Sequence, residues 1–290
     1  MTDTQRQPRR ALAIAALSLL VGACTTQDRQ AQVERAVQDV MKADAASLEA
    51  IMLTVANPEE AVNYFEAALK AEPERTEIKR GLAGALMRTG EYRRARTLWA
   101  EVADSPEATR EDSINLAEAL IRLGEWDKAE AVLDRVPPTH ETFKRYSLEA
   151  MVADRNEEWK KADAFYETAA GLTPEPAGTL NNWGYSKLSR GEAAGAEELF
   201  IEALRADPTM FRAKNNLMIA RGAQGNYSMP VIDVTQDERA RLLYTLGLAA
   251  MKRGDTAIGR GLLQDAAAAS PRYFEEAERA LAALDGAGAG

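Results

Sequence analysis

Alanine and bulky apolar residues recur along this chain with a nearly fixed step. Ala61, Ala95, Ala129, Ala162 and Ala196 lie 34, 34, 33 and 34 residues apart. Four places after each stands a large side chain: Phe65, Trp99, Leu133, Tyr166 and Phe200. Three places further come Ala68, Val102, Val136, Ala169 and Ala203. The i, i+4, i+7 spacing puts each trio on one face of a helix. There the alanine admits a close neighbour and the bulky residue fills the space between units. Turns precede the alanines at Thr89-Gly90-Glu91-Tyr92, Leu123-Gly124-Glu125-Trp126, Asn156-Glu157-Glu158-Trp159 and Arg190-Gly191-Glu192-Ala193. Glycine in the turn ends one helix, and Pro73, Pro106, Pro174 and Pro208 stop the next. The pattern predicts helical hairpins over residues 42–75, 76–109, 110–142, 143–176 and 177–210, and hence an all-α chain.

A helix-turn-helix unit of this length resembles the tetratricopeptide repeat. The resemblance implies a right-handed superhelical solenoid whose inner surface is lined by the first helix of each hairpin. Upstream, Val33, Val37, Val40, Met41, Leu48, Ile51, Met52 and Val55 form an amphipathic stripe that predicts a helix from about residue 30. The first unit is degenerate, with Ala56-Asn57-Pro58 in place of a glycine turn. The sixth begins at Phe211 and turns at Gly225-Asn226-Tyr227. Its second helix is then interrupted at 228–235, where Pro230 and the β-branched Val231, Ile232 and Val234 stand in place of an alanine-rich helix. Thr235-Gln236-Asp237-Glu238 reads as a capping box restarting the pattern. Leu243, Leu246, Gly247, Gly254, Leu263, Ala266 and Pro271 are again in frame, and Tyr273 to Leu284 makes a last helix with a polar outer face. A repeat array over 30–285, of six to seven units, with a flexible tail at 286–290, is the expected organisation.

Composition narrows the chemistry. The 290 residues are 46% hydrophobic, with 36 basic and 45 acidic side chains and a net charge of -9. That is a folded chain, too apolar for disorder. Its acid surplus, with no run of Lys or Arg to reverse it locally, argues against nucleic acid as a partner. One Cys and one His exclude a disulfide framework and leave too few ligands for a zinc centre of the usual kind, so no metal is expected. There is no P-loop, no Rossmann glycine fingerprint and no G-x-S-x-G elbow. His140 follows Pro137-Pro138 without a Ser or Cys partner set by any motif. Neither an enzyme nor a cofactor is expected.

The one long apolar run, Ala11 to Ala23, lies behind Arg6, Arg9 and Arg10. Thirteen residues fall short of the ~20 needed to span a bilayer, and a charged start followed by a short apolar stretch and small residues is the layout of an export signal. It ends Leu20-Val21-Gly22-Ala23-Cys24, which resembles a bacterial lipobox. The resemblance implies removal of residues 1–23 and lipidation of Cys24, against the plainer reading of an ordinary secretory signal or a buried thiol. Because 1–23 carry three Arg and one Asp, the remainder would have a net charge of -11. Lipid rather than charge would then hold it to a membrane, through a short tether at 24–29. Thr25 in place of an Asp implies the outer membrane, on its periplasmic face.

Taking the frame from the alanines, the first helices offer Asn115, Asn181, Asn182, Tyr185, Arg212, Asn215, Asn216, Arg241 and Tyr244 to the groove. Ile114 and Leu148 are expected there too. An amide carries both donor and acceptor, so a row of them suits the backbone of an extended peptide, and the arginines suit a carboxylate. The same amides can equally tie neighbouring helices, and the tyrosines can be packing. Leu180-Asn181-Asn182-Trp183-Gly184-Tyr185-Ser186-Lys187-Leu188, Ala213-Lys214-Asn215-Asn216-Leu217 and the interrupted unit ending in Leu242-Leu243-Tyr244 are similar to the TadD-type lipoproteins of the tight-adherence (Flp) pilus machinery. That similarity, best over 177–285, implies a lipid-anchored adaptor, similar to a pilotin, with a secretin or another pilus-assembly component as protein partner. A general envelope-protein assembly factor and a regulatory scaffold for a cell-wall enzyme are the alternatives.

Overall fold

The computed structural model describes residues 48, 49, 51, 52 and 57–287. The export segment 1–23, Cys24, the tether 24–29, most of the stripe from residue 30 and the last residues of the tail lie outside the described residues. Two compact units divide the chain, one up to Glu107 and one from Ala108 onward. Among the described residues there is no strand, and the all-α repeat fold is what is found.

In the first unit, α1 (Pro58–Ala71) is followed by the hairpin α2 (Thr76–Thr89) and α3 (Tyr92–Ala103). Asn57, in the stretch that replaces the glycine turn, caps α1 by accepting the Glu59 amide at 2.9 Å, and Pro58 opens the helix where no amide is needed. Phe65 is fully buried against α2 at Gly81, where even a Cβ would fall 2.2 Å from its ring. Ala83 and Ala95, twelve residues apart, close the α2–α3 hairpin with no side-chain exposure.

The second unit repeats that device. Its hairpins are α4 (Arg110–Arg122) with α5 (Trp126–Leu133), α6 (Phe143–Arg155) with α7 (Trp159–Gly171), and α8 (Ala177–Ser189) with α9 (Ala193–Ala206). After them come the single helix α10 (Phe211–Ala223), the hairpin α11 (Gln236–Arg253) with α12 (Thr256–Ala269), and α13 (Glu275–Ala287), which runs two residues into the expected tail. The pairs Ala117/Ala129, Ala150/Ala162, Gly184/Ala196 and Gly247/Gly259 are buried where the helices of each hairpin cross. Small residues at a crossing let two helices approach closely and place Leu133, Tyr166, Phe200 and Leu263 in the core. The tight turns take a left-handed residue: Gly90, Gly124, Gly191, Gly225 and Gly254 have φ of 76° to 90°. Glu157 occupies the same place with φ 60° and is the exception among non-glycine residues described.

Residues 224–235 contain no helix, so α10 lacks the partner that every other first helix in this unit has. An extended strap takes its place. Met229, Ile232 and Val234 pack onto the core around Leu217, Met218, Leu242 and Leu246, while Val231 stands fully exposed. Arg221 fastens the strap by donating to the Ser228 hydroxyl at 2.8 Å and its carbonyl at 3.2 Å. At its far end the Thr235 side chain accepts the Glu238 amide and Glu238 accepts the Thr235 amide, the reciprocal capping box that starts α11.

Candidate protein-interaction face

The first helices of the second unit adjoin one another through polar side chains. Lys144 on α6 donates to Asn115 on α4 at 2.5 Å and pairs with Glu118 at 2.6 Å. Asn216 on α10 donates to Asn181 on α8 at 3.0 Å. Thr245 on α11 donates to Asn215 on α10 at 2.7 Å, and the buried Lys214 reaches Glu238 at 3.1 Å. Burial alone would raise the Glu238 carboxyl, but the Thr235 amide and the Lys214 ammonium carry it below its ordinary range. This carboxylate therefore caps α11 and ties it to α10, next to the place where a second helix is missing.

Two of the amides expected in the groove are withdrawn from it. Asn181 is 3% exposed and Asn216 9%, with the Asn216 amide donating to the Asn181 oxygen across the α8–α10 contact and the Asn181 amide donating to Asn182 at 3.4 Å. Ile114 and Leu148 are core residues as well. Asn115 and Asn215 are half-buried and committed to Lys144 and Thr245. Tyr244 is half-buried against Phe274, with ring centroids 5.4 Å apart. What remains exposed is Asn182, Tyr185, Arg212 and Arg241. Arg241 lies over the Phe211 ring at 5.9 Å.

The exposed positions share one register. Gly178, Asn182, Tyr185 and Ser189 form the open stripe of α8, and Arg212, Ile219 and Ala223 that of α10. On α11 the stripe is Arg241, Leu248 and Lys252. Tyr185, Ile219 and Leu248 are exposed by 61%, 38% and 43%; Tyr185 and Leu248 each stand one place after the crossing glycine of their helix, and Ile219 stands one place after Met218, which on the unpaired α10 lies 34 residues after Gly184. Large apolar side chains left in water at the same frame position on three adjacent helices are a built surface rather than scatter. Beside Arg241 and Tyr244 this surface ends in a cleft of about 610 Å³, lined also by Asp237, Arg272, Tyr273, Phe274 and Glu276.

The orientation of α8 is set by two aspartates that the sequence pattern did not single out. Asp163 on α7 accepts from Trp183 Nε1 at 2.6 Å and from Arg190 Nη2 at 2.7 and 2.8 Å, with Lys187 at 3.4 Å. Burial would raise it, yet the bonds from Arg190 and Trp183 and the nearby cations hold it below the usual carboxylate range. Asp154 on α6 accepts from Ser186 at 2.5 Å and from Tyr166 at 2.9 Å. There burial wins, and the Asp154 carboxyl is raised. Burial and the Asp154 charge push the Tyr166 phenol up too, so it stays protonated and donating. Trp183, Ser186 and Arg190 thus anchor one side of α8, leaving Asn182, Tyr185 and Ser189 in solvent.

Among the described residues no cluster of His, Cys, Asp or Glu is arranged to hold a metal ion. No helix among them is long and apolar enough to cross a membrane. His140 meets Glu111 at 3.0 Å, and its carbonyl accepts from Arg145.

A stack of such hairpins presenting first-helix side chains is a scaffold for protein-protein interaction. The chain carries tetratricopeptide repeats: two models of that family match residues 52–106 and 88–140. No curated protein matches the chain in sequence. Solved structures share its fold. A chain of the APC/C hetero-tetramer Cut9-Hcn1 aligns over 80% of this chain at 15% identity and a TM-score of 0.57. This chain spans about half of that one, 47%. A tetratricopeptide repeat protein from Parabacteroides merdae aligns over 77% of this chain and 91% of its own, at 13% identity and a TM-score of 0.51. TTC0263, a thermophilic TPR protein of Thermus thermophilus, aligns over 60% and 95%, at 22% and 0.50.

Proposed function

We propose that this protein is a lipid-anchored adaptor on the periplasmic face of the outer membrane that assists a secretin, or another component of Flp-type pilus assembly, by holding a segment of it against the first-helix face. The supporting observation for the binding role is the repeated exposed apolar row Tyr185, Ile219 and Leu248, flanked by Asn182, Arg212 and Arg241. The anchor rests on Cys24 and the run that precedes it, and the pilus assignment on the similarity of 177–285 to TadD-type lipoproteins.

Each part has its own test. A Cys24→Ser variant should leave the outer-membrane fraction, and its retention there would remove the anchor. Deleting the gene should abolish membrane-embedded secretin multimers and piliation. Normal multimers with a broad loss of β-barrel proteins would point instead to general envelope assembly, and altered wall cross-linking to a cell-wall enzyme.

A further inference from the structure

From α6 to α11 the charge on the first-helix face runs against the charge of the chain, whereas α4 carries Glu111 and Glu118 at the equivalent positions. Six places before Ala150, Gly184, Met218 and Gly247, on α6, α8, α10 and α11, stand Lys144, Gly178, Arg212 and Arg241, and five places after them Arg155, Ser189, Ala223 and Lys252. Those eight positions hold five cations and no carboxylate, in a chain where acids outnumber bases 45 to 36. Between the two rows lie the apolar Met151, Tyr185, Ile219 and Leu248. Lys144 is engaged by Glu118, where the acidic side of α4 begins. Arg212, Arg241 and Lys252 are exposed and, among the described residues, make no ion pair. Arg272 adds a further guanidinium to the lining of the cleft that Arg241 enters, and that cleft's carboxylates, Asp237 and Glu276, both sit in first turns where helix amides favour them.

Seven residues of helix separate Arg212 from Ile219 and Arg241 from Leu248, which is about 10 Å along each axis. Neighbouring helices pack about 8–10 Å apart, so the apolar row crosses α8, α10 and α11 in roughly 20 Å. An extended segment of about six residues spans that length at ~3.3 Å per residue. Its apolar side chains would cover Tyr185, Ile219 and Leu248, and carboxylates alternating with them would meet the guanidinium row. From this complementarity we infer that the occupant of the face is an acidic amphipathic segment of the partner protein, its acidic end seated in the cleft between Arg241 and Arg272. The inference rests on the adaptor reading and adds the chemistry of what is bound.

The test uses the full chain and two labelled peptides of equal length, one alternating Leu with Glu and one alternating Leu with Lys, followed by fluorescence anisotropy. The Leu-Glu peptide should bind at least about tenfold more tightly, a preference of the size that a few exposed charges supply. The preference should be lost in Arg212→Gln/Arg241→Gln, kept in Arg212→Lys/Arg241→Lys, and weakened by high salt. Both arginines are exposed, so circular dichroism should show both variants folded. Equal binding of the two peptides, or a preference untouched by the glutamine pair, overturns the inference. If neither peptide binds while a photo-crosslinker at Tyr185 captures a partner in cells, the chemistry is wrong and the adaptor face stands. If Tyr185 captures nothing, both fall.

Discussion

Glu157 holds a left-handed turn that glycine fills at the equivalent position of the other hairpins. A side chain there costs ~1–2 kcal/mol, of which the extra freedom of glycine in the unfolded chain offsets part. Glu157→Gly should therefore raise stability by ~0.5–1 kcal/mol, read as a higher urea midpoint with an unchanged slope. Asp163 makes the opposite kind of contribution. Its folded pKa is lowered, so its stabilisation is complete above the ordinary carboxylate range and is lost as pH falls through the lower, folded value. Asp163→Asn should cost ~1–3 kcal/mol at neutral pH, because Arg190 and Trp183 lose a charged acceptor. The variant's stability should also vary less with pH on the acid side. An unaltered acid limb would mean that Asp163 is not what holds α8. Asp154, raised by burial, works the other way, since the folded protein takes up that proton first on acidification.

Helices and turns follow from local rules, which is why the alanine frame located them. Ala95, Ala129, Ala162 and Ala196 are all fully buried, and the bulky residues four places on are buried with them. The α11 capping box and the lost helix after Gly225 were readable for the same reason, since a Pro among β-branched residues cannot continue a helix. The aspartate network was not. Its partners lie 12 to 32 residues apart with no shared period, and Asp154 and Asp163 look like any solvated acid on a helix. Helical phase was the other gap, because adjacent residues differ by only ~100° around the axis and a repeat frame separates them poorly. Thus Asn181 turned inward and Asn182 outward. The strap shows how side-chain contact settles what pattern leaves open. Met229→Ala should destabilise by ~1–2 kcal/mol, since it packs on the core. Val231→Ala, at a fully exposed position, should stay within about 0.5 kcal/mol by chemical denaturation. Comparable losses from both would mean that the strap packs differently.

The second unit combines a core that repeats with a surface that also repeats. Small residues fix the hairpin crossings of α8 and α11, and on α10 the buried Met218, in the core that the strap packs against, takes the equivalent place. A row such as Tyr185, Ile219 and Leu248 then needs only one apolar choice per repeat. An acidic chain that keeps cations beside that row has the means to steer a partner there while repelling its approach elsewhere. The most direct measurement of the claim is photo-crosslinking in cells from Tyr185, Ile219 and Leu248, with Glu198 and Glu202 on the exposed side of α9 as controls. The account predicts that the three first-helix positions capture one and the same envelope protein and that the α9 positions do not. Capture from α9 alone, or equally from both surfaces, would contradict it.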